Sequence, residues 1–429
     1  MFQQSTQHVA SYYAHSCSDR LVNRPALKGE QHTEVLIIGA GFSGLHTALR
    51  LALAGKRVTL LEASRVAWAA SGRNGGQAIL GWSCDMPPLE AALGYERARR
   101  LWDGMRWAAQ ELRELPTRHG FDCDYRPGHL WTSVMPRRVS LLTEWQHEAS
   151  HKWGHDGLQF IERSQLPEWV ASDRYQAGLF DPEGGHLNPL KLALGLAGAI
   201  ERAGGVIHEQ SKALSYSEDG DGYRVTTERG SIRADVLVLA CNAYLDRLDP
   251  QLSSCVLPVG TYQVATAPLS EAQATALLPS NVCVTDNQFV LDYFRRTPDN
   301  RLLFGGGCTY LGGMPKDIAA ATRPCLERVF PQLKGVELEF SWGGHIDLTL
   351  NRTPDIGRRG DLYWLQGYSG HGVLPTLAGA RAVSDAILGN ADELALYQGL
   401  TNGSFPGGKY MAAPLEAIGK AWYRLRDSI

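Results

Sequence analysis

Three glycine-rich stretches carry the residue types and spacings that hold phosphates or flat rings. In "IIGAGFSG" the glycines fall at 39, 41 and 44. Gly39 allows a tight turn, Gly41 lets a pyrophosphate approach the backbone, and Gly44 lets a helix close onto a strand. Glu62 follows at the end of the next apolar run, where a carboxylate accepts hydrogen bonds from ribose hydroxyls. The second stretch, "SGRNGGQ" (Ser71 to Gln77), offers Gly72, Gly75 and Gly76 as flexible backbone with exposed N–H groups. Its Arg73 reads equally well as a solvated charge or an internal salt-bridge partner. The third, "GYSGHGV" (Gly367 to Val373), lies between the strand-like "LYWLQ" and a helical run. The free N–H groups and positive dipole end of that helix suit a flavin, whose pyrimidine half gains negative charge on reduction. It does not fit G-x-S-x-G, because His371 stands where the last glycine belongs.

These stretches need elements to aim them. Alternation predicts a strand over Thr33 to Ile38, a helix from Phe42 to Ala54 and a strand from Arg57 to Glu62, which is a βαβ unit. Amphipathic helices over Tyr95 to His119 and Pro136 to Trp153, with a short strand at "HLWTSVM", read as an inserted region. The first pattern resumes with a helix after Pro189 that ends at Gly204, a strand from Val206, strands at Tyr223 to Thr227 and Ser231 to Ala234, and the buried run "DVLVLA". Residues 256–343 alternate as an antiparallel sheet does, with one helix between Asp317 and Phe330. The expected organisation is an arm over 1–31, a discontinuous cofactor domain over 32–85, 186–250 and 344–429, and a substrate domain over 86–185 and 251–343. A nicotinamide dehydrogenase does not require its last hundred residues to complete the cofactor site, and this sequence does.

With 429 residues, 44% of them hydrophobic and 20% charged, the chain has material for two or three domains. The net charge of -3 with dispersed arginines argues against a nucleic-acid partner. No apolar run reaches the roughly 18 residues of a membrane-spanning helix, so no membrane partner is expected. The eight cysteines (17, 84, 123, 241, 255, 283, 308, 325) form no C-x-x-C pair and follow no secretory leader. Reduced thiols, a cytoplasmic location and no metal site are the expectation, and oligomeric state is not readable.

Taken together, these motifs resemble the D-amino-acid oxidase superfamily of FAD-dependent amine oxidoreductases. "SYY", "EASRVAWAASGRNGGQ", "CDYRPGHLW", "ASDRYQAGLFDPEGGHLNPL", "LDYFRRTPDNRLLFGGG", "QGYSGHGV", "FPGGK" and "AWYRLRD" look most like its gamma-glutamyl-polyamine oxidase branch, which includes the oxidases of gamma-glutamylputrescine. The resemblance implies a Rossmann-type α/β domain that binds FAD, with an interleaved α+β substrate domain built on an antiparallel sheet. It implies oxidation of an amine, with O2 as acceptor, to an imine that hydrolyses to an aldehyde, releasing amine product and H2O2 in polyamine breakdown. Residues implied to hold the cofactor are Gly39, Gly41, Phe42, Ser43 and Gly44 at the pyrophosphate, and Glu62, Ala63 and Ser64 at the ribose. Ala213 is implied at the adenine, Ala240 and Asn242 at the end of "DVLVLA", Ser71, Gly72, Arg73, Asn74, Gly75, Gly76 and Gln77 at the flavin's inner face, and Ser369, Gly370, His371, Gly372 and Val373 at the isoalloxazine.

Where sarcosine oxidases carry a lysine shortly after this last motif, Val373 and Leu374 follow here, and no cysteine lies between Cys325 and Ser369. The resemblance therefore implies non-covalent FAD, with Cys308 as the candidate that would overturn this, and a substrate whose carboxylate is remote from the reacting amine or absent. An ammonium cannot give up hydride, so a rate rising with pH is expected. His371 and His345 are the titratable candidates; Tyr293, Trp342 and Tyr368 are candidate aromatic walls; and Asp292 with Arg295 or Arg296 is a candidate reader of a gamma-glutamyl group. A flavin enzyme acting on a free amino acid or N-methyl amine of the D-amino acid, sarcosine or glycine type, and a non-catalytic flavin carrier, are the alternatives left open.

Overall fold

In the computed structural model, residues 5–288, 290–309, 313–400 and 402–405 are described. The "FPGGK" and "AWYRLRD" motifs fall outside them, apart from Phe405.

The first sheet grows from the predicted βαβ unit. Its order is Asp355–Arg359, Leu362–Gln366, Gly230–Leu239, Gly29–Ile38, Val58–Leu61 and Val206–His208. The four pairings from Leu362–Gln366 across to Val206–His208 are parallel. Strands Ser215–Asp219 and Gly222–Thr226 form an antiparallel flap against Gly230–Leu239. The first strand begins at Gly29, four residues before the alternation starts, because Gly29 to Thr33 pair with residues 230–234 while mostly exposed to solvent. Likewise, Ser231 to Ala234 and "DVLVLA" are one strand, with Leu237 and Val238 buried between neighbours on both sides.

Helix Phe42–Leu53 follows the first strand and is buried on nearly every side, which explains why it is apolar all round. A Cβ on Gly44 would sit 1.9 Å from the Gly39 carbonyl oxygen, so the helix can start this close to the strand only on glycine. Gly39 itself has φ +106°, and a Cβ there would lie 2.5 Å from the Ala240 carbonyl oxygen. Helices Pro189–Arg202, capped by the Asn188 side chain, and Pro375–Ile387 pack on the same helix.

The second sheet has nine strands. Its order is Leu338–Leu348, Leu257–Thr266, Leu302–Thr309, Tyr293–Arg296, Cys283–Asp286, Arg126–Ser133, Ala177–His186 and Gln77–Ala78, with Gln159–Glu162 beside Ala177–His186. All pairings are antiparallel except Cys283–Asp286 with Arg126–Ser133, which joins the two excursions expected from the sequence into one sheet. Strand membership departs from the expected boundaries at several places, among them Gly29 to Gln31 of the expected arm, which enter the first sheet. Gln77–Ala78, directly after the middle glycine stretch, enters the second sheet, and strand Leu338–Leu348 runs past 343. The expected helix over Pro136 to Trp153 is a 3-10 turn, Pro136–Arg138, followed by helix Val139–His151. Among the described residues no helix is long and apolar enough to cross a membrane, and no group of three metal-ligating side chains occurs.

Candidate active site

Two cavities meet where the sheets face each other. The first, ≈ 670 Å³, opens at the parallel sheet's carboxyl edge and is lined by Gly39, Gly41, Ser43, Glu62, Ala63, Ala213, Ala240 and Asn242. The second, ≈ 570 Å³, is lined by Arg73, Asn74, Gly75, Gln77, Tyr293 and Ser369 through Val373, and extends to the far sheet. Phe42, Ala70, Ser71, Asn242, Tyr368 and Thr376 border both, so the cavities share a wall at the start of helix Phe42–Leu53. An extended dinucleotide laid past a helix N-terminus requires this arrangement.

Each cradle is fixed locally. The Phe42 N–H donates to Ser71 Oγ at 2.9 Å, tying the first glycine turn to the second stretch. Ser43 Oγ lies 2.9 Å from the Tyr368 hydroxyl, tying it to the third. Glu62 Oε2 and Oε1 accept from the N–H groups of Ala40 and Ser64, each at 2.9 Å. Burial nevertheless pushes its carboxyl up to about 7. In the last stretch Gly367, Ser369 and Gly370 all have positive φ, at 81°, 52° and 85°, and Ser369 Oγ accepts from the Thr349 N–H at 3.2 Å. Asp347, a cavity wall whose carboxyl burial raises to about 6, accepts from the Gly367 N–H and faces the Asn242 amide nitrogen.

The middle stretch is held from behind. Arg295 Nε donates to the Gly75 carbonyl at 2.8 Å, and its Nη2 to the Tyr13 hydroxyl at 3.1 Å. That hydroxyl donates to the Asn74 carbonyl at 2.8 Å. Trp342 Nε1 donates to the Arg73 carbonyl at 3.0 Å. The Arg73 guanidinium lies 4.1 Å over the Trp68 ring and donates to the Trp68 and Gly343 carbonyls, while its Nη2 is buried without an acceptor. It is neither a solvated charge nor a salt-bridge partner. Tyr293 is slotted between glycines: a Cβ on Gly75 or Gly305 would sit 2.6 or 2.1 Å from its ring.

Several sequence expectations are corrected here. Trp342 and His345 line neither cavity: Trp342 backs the middle stretch, and His345 Nδ1 lies 3.2 Å from the Tyr244 hydroxyl. Arg295 is buried under that stretch, Arg296 is bonded to Asn300 and Thr275, and Asp292 pairs with Arg328, so none of the three lines the cavity as a reader of substrate. Gly44, Ser64, Gly72 and Gly76 also stand outside the cavity walls. Gly72 and Gly76 serve close packing, since a Cβ would meet the carbonyls of Ala67 and Leu187 at 2.2 and 2.1 Å. Ser64 turns its hydroxyl to the Ser5 carbonyl.

His371 lines the second cavity, and its Nε2 donates to the Ile79 carbonyl at 2.9 Å. That bond fixes the proton on Nε2 and leaves Nδ1 as an acceptor. Burial lowers its pKa, so the ring is neutral at pH 7. Cys308 also borders this cavity. Sequence reasoning missed its outer wall, built from Trp82, Trp102, Trp131, Trp145 and Trp153. A signal existed: seven of the eleven tryptophans (68, 82, 102, 107, 131, 145, 153) fall between residues 68 and 153.

Fold and site together define a dinucleotide-binding oxidoreductase with a substrate sheet facing the cofactor. The family model "FAD dependent oxidoreductase" matches residues 34–386, and the chain belongs to that family, an FAD enzyme of the D-amino-acid oxidase type. It is 39% identical over 426 residues, 99% of each chain, to gamma-glutamylputrescine oxidoreductase of Escherichia coli, and 37% identical, covering 98% of each, to "Probable oxidoreductase OrdL" of Haemophilus influenzae. Among solved structures it is similar to glycine oxidase from Geobacillus kaustophilus (TM-score 0.68, 23% identity, 83% of this chain and 95% of that one). It is also similar to L-proline dehydrogenase from P. horikoshii (TM-score 0.72, 20% identity, 86% and 97%). These structural likenesses show the fold.

The residues present fit FAD. The glycine turn admits no side chain, the orphaned Arg73 Nη2 needs an acceptor, and Glu62 is a buried carboxyl group just past strand Val58–Leu61 that lines the first cavity.

Proposed function

We propose that this protein is an FAD-dependent amine oxidase that oxidises gamma-glutamylputrescine, or a related gamma-glutamyl polyamine, to an aldehyde, using O2 and releasing H2O2. The end-to-end 39% identity to the Escherichia coli enzyme carries the reading. The geometry supports it. After the third glycine stretch the wall is Val373, with Leu374 buried behind it, rather than a cation for a nearby carboxylate. The tryptophan-lined outer wall accepts an aliphatic chain.

Bound FAD supplies the acceptor for the hydride. Gly39, Gly41 and Ser43 hold the pyrophosphate, Glu62 and Ala63 the ribose, Ala213 the adenine, and Ser71, Arg73 to Gly75, Gln77 and Ser369 to Val373 the ring. The FAD is non-covalent, and the enzyme works without a metal. The rest of the work is orientation and exclusion of water. Tyr293 and Tyr368 wall the reacting end. The neutral His371 orients the substrate by accepting an N–H at Nδ1, while burial in the cavity favours the uncharged amine, the form that can lose hydride. The discontinuous cofactor domain and interleaved substrate domain belong to this reading.

The test is an anaerobic titration of the purified holoenzyme with gamma-glutamylputrescine, putrescine and sarcosine in parallel, following flavin absorbance and then peroxide on admission of air. Bleaching by the gamma-glutamyl amine, with rapid reoxidation and H2O2, is expected. Bleaching by sarcosine alone would replace the substrate, and slow reoxidation without peroxide would make the enzyme a dehydrogenase.

A further inference from the structure

The second cavity is bordered by two carboxyl groups, Asp85 and Glu148, that make no ion pair among the described residues. Helix Val139–His151 presents Trp145, Glu148 and Ala149 to the cavity, the i, i+3, i+4 spacing of one helix face. Asp85 reaches the same cavity from the residue before helix Met86–Leu93, where its side chain makes no capping bond. Among the described residues neither carboxylate has an ion-pair partner; Lys152, one turn beyond Glu148, is bound to Glu90. Glu148 Oε1 accepts only the Trp153 indole N–H, at 3.2 Å. Burial and the charge of Glu148 together push the Asp85 carboxyl up to about 6. A third acid, Asp181, is already served by His155 Nε2 at 3.1 Å and the Glu183 N–H at 2.9 Å.

The second observation concerns donors. The Nε1–H groups of Trp82 and Trp102, rings 4% and 7% exposed that line the same cavity, are buried without an acceptor. A buried donor left unpaired is costly, and a cavity that keeps two of them together with two acids that form no ion pair among the described residues asks for a ligand with both a cation and an oxygen acceptor. A bare diamine supplies the cation alone. An α-amino-acid head supplies both, and the tryptophan faces add cation–π attraction for its ammonium.

We propose that this recess recognises the amino-acid head of a gamma-glutamyl amine: Asp85 and Glu148 take the α-ammonium, and the indole N–H groups of Trp82 and Trp102 take an oxygen of its carboxylate or amide. The inference rests on the substrate class proposed above, and it assigns specificity to the tryptophan-lined part of the second cavity.

Three probes separate the possibilities on the holoenzyme, its Glu148→Gln and Asp85→Asn variants and, as a check on the donors, Trp82→Phe. They are gamma-glutamylputrescine, its desamino analogue N-glutarylputrescine, and gamma-glutamyl-n-butylamide, which has the head but no oxidisable amine. Glu148→Gln keeps an acceptor for Trp153 and removes only the charge. Each acid variant is expected to raise KM for gamma-glutamylputrescine about 10- to 100-fold with kcat changed by less than about threefold, the size of a lost charge-assisted contact. KM for the desamino analogue is expected to move less than about twofold. The butylamide should perturb the flavin spectrum of the oxidised enzyme, with a dissociation constant weakened about tenfold by Glu148→Gln. Trp82→Phe should weaken the butylamide by a similar factor without changing flavin content. Equal KM losses for parent and desamino substrates, or none, overturn the inference and leave the reaction intact. Glu148-dependent binding of the butylamide without oxidation of gamma-glutamylputrescine sustains the recess and overturns the reaction. A further control, 1,4-diaminobutane, decides the remaining case: Glu148-dependence with it but not with the butylamide makes the ligand a bare second ammonium and overturns the assignment of the head.

Discussion

Glu62 illustrates how much a single buried group decides at this site. Its two main-chain donors favour the carboxylate, yet burial outweighs them and holds the group at about 7. Ribose hydroxyls donate to the charged form, so binding FAD lowers this pKa and releases a proton. The sign follows: affinity for FAD is greatest above pH 7 and is lost as pH falls, by up to about tenfold per unit until the lower, bound-state pKa is passed. Fluorescence titration of the apoprotein with FAD between pH 5 and 8 checks this, and Glu62→Gln should give a weaker but pH-independent affinity.

His371 behaves differently. Burial holds its pKa below the ordinary 6.5, so it is already neutral where the substrate ammonium begins to lose its proton. We expect His371→Asn to lower kcat/KM by about 10- to 100-fold while the alkaline rise keeps its position, because that limb belongs to the substrate. Disappearance of the limb would make His371 the base itself.

At the scale of elements, the cofactor loop depends on an arm far from it in sequence. Tyr13, fully buried in the short helix Tyr12–Ser16, links Arg295 on the second sheet to the Asn74 carbonyl. Tyr13→Phe removes both bonds and leaves the Asn74 carbonyl short of a donor. A loss of about 1–3 kcal/mol in unfolding free energy is expected, together with faster FAD release on dilution, measured by the absorbance of the filtrate. Unchanged FAD retention would mean that the loop holds its own shape.

This is also the scale at which the sequence was most and least legible. The βαβ unit was readable because a period-2 run, a fixed glycine spacing and a period-3.6 run reinforce one another, and Gly39 and Gly44 admit no other residue in the space they occupy. Trp342, Arg295 and Asp292 were misplaced because alternation fixes a face of a strand but not what covers it. The face carrying Tyr293 and Arg295 is open at the first residue and roofed by the glycine loop at the second. The outer tryptophan wall was hidden for a related reason. Trp102, Trp145 and Trp153 fit amphipathic helices, and only the packing of helix Val139–His151 on strands Arg126–Ser133 and Ala177–His186 brings Trp145 against Trp131.

For the whole molecule, the dependence of stability on pH is a contest between buried groups of opposite kind. His46, His129 and His186 are buried and held neutral, each lowered from 6.5 to about 3. A lowered folded-state pKa contributes stability that is complete above 6.5 and is lost as pH falls toward 3. Asp286 and Glu62 at about 7 and Asp347 at about 6 are raised, so burying them is cheapest below the ordinary carboxylate range, and stability is lost as pH rises through those values. Between pH 4.5 and 6.5 the two sets oppose each other, and the apoprotein should show a nearly flat stability in that window rather than an acid transition. The histidine term is exposed by removing one member. His46 lies within helix Phe42–Leu53, 1% exposed, with Nε2 unpartnered and its ring 6.1 Å from that of Phe42. In His46→Leu, one proton's worth of linkage disappears. Relative to wild type the variant should gain up to about 1.4 kcal/mol for each unit that pH falls between 6.5 and 3, with no pH-dependent difference above 7. Urea unfolding of the two apoproteins at half-unit steps from pH 5 to 8 measures the difference directly, and parallel curves across that range would show that His46 gains a proton in the folded state as readily as in the unfolded one.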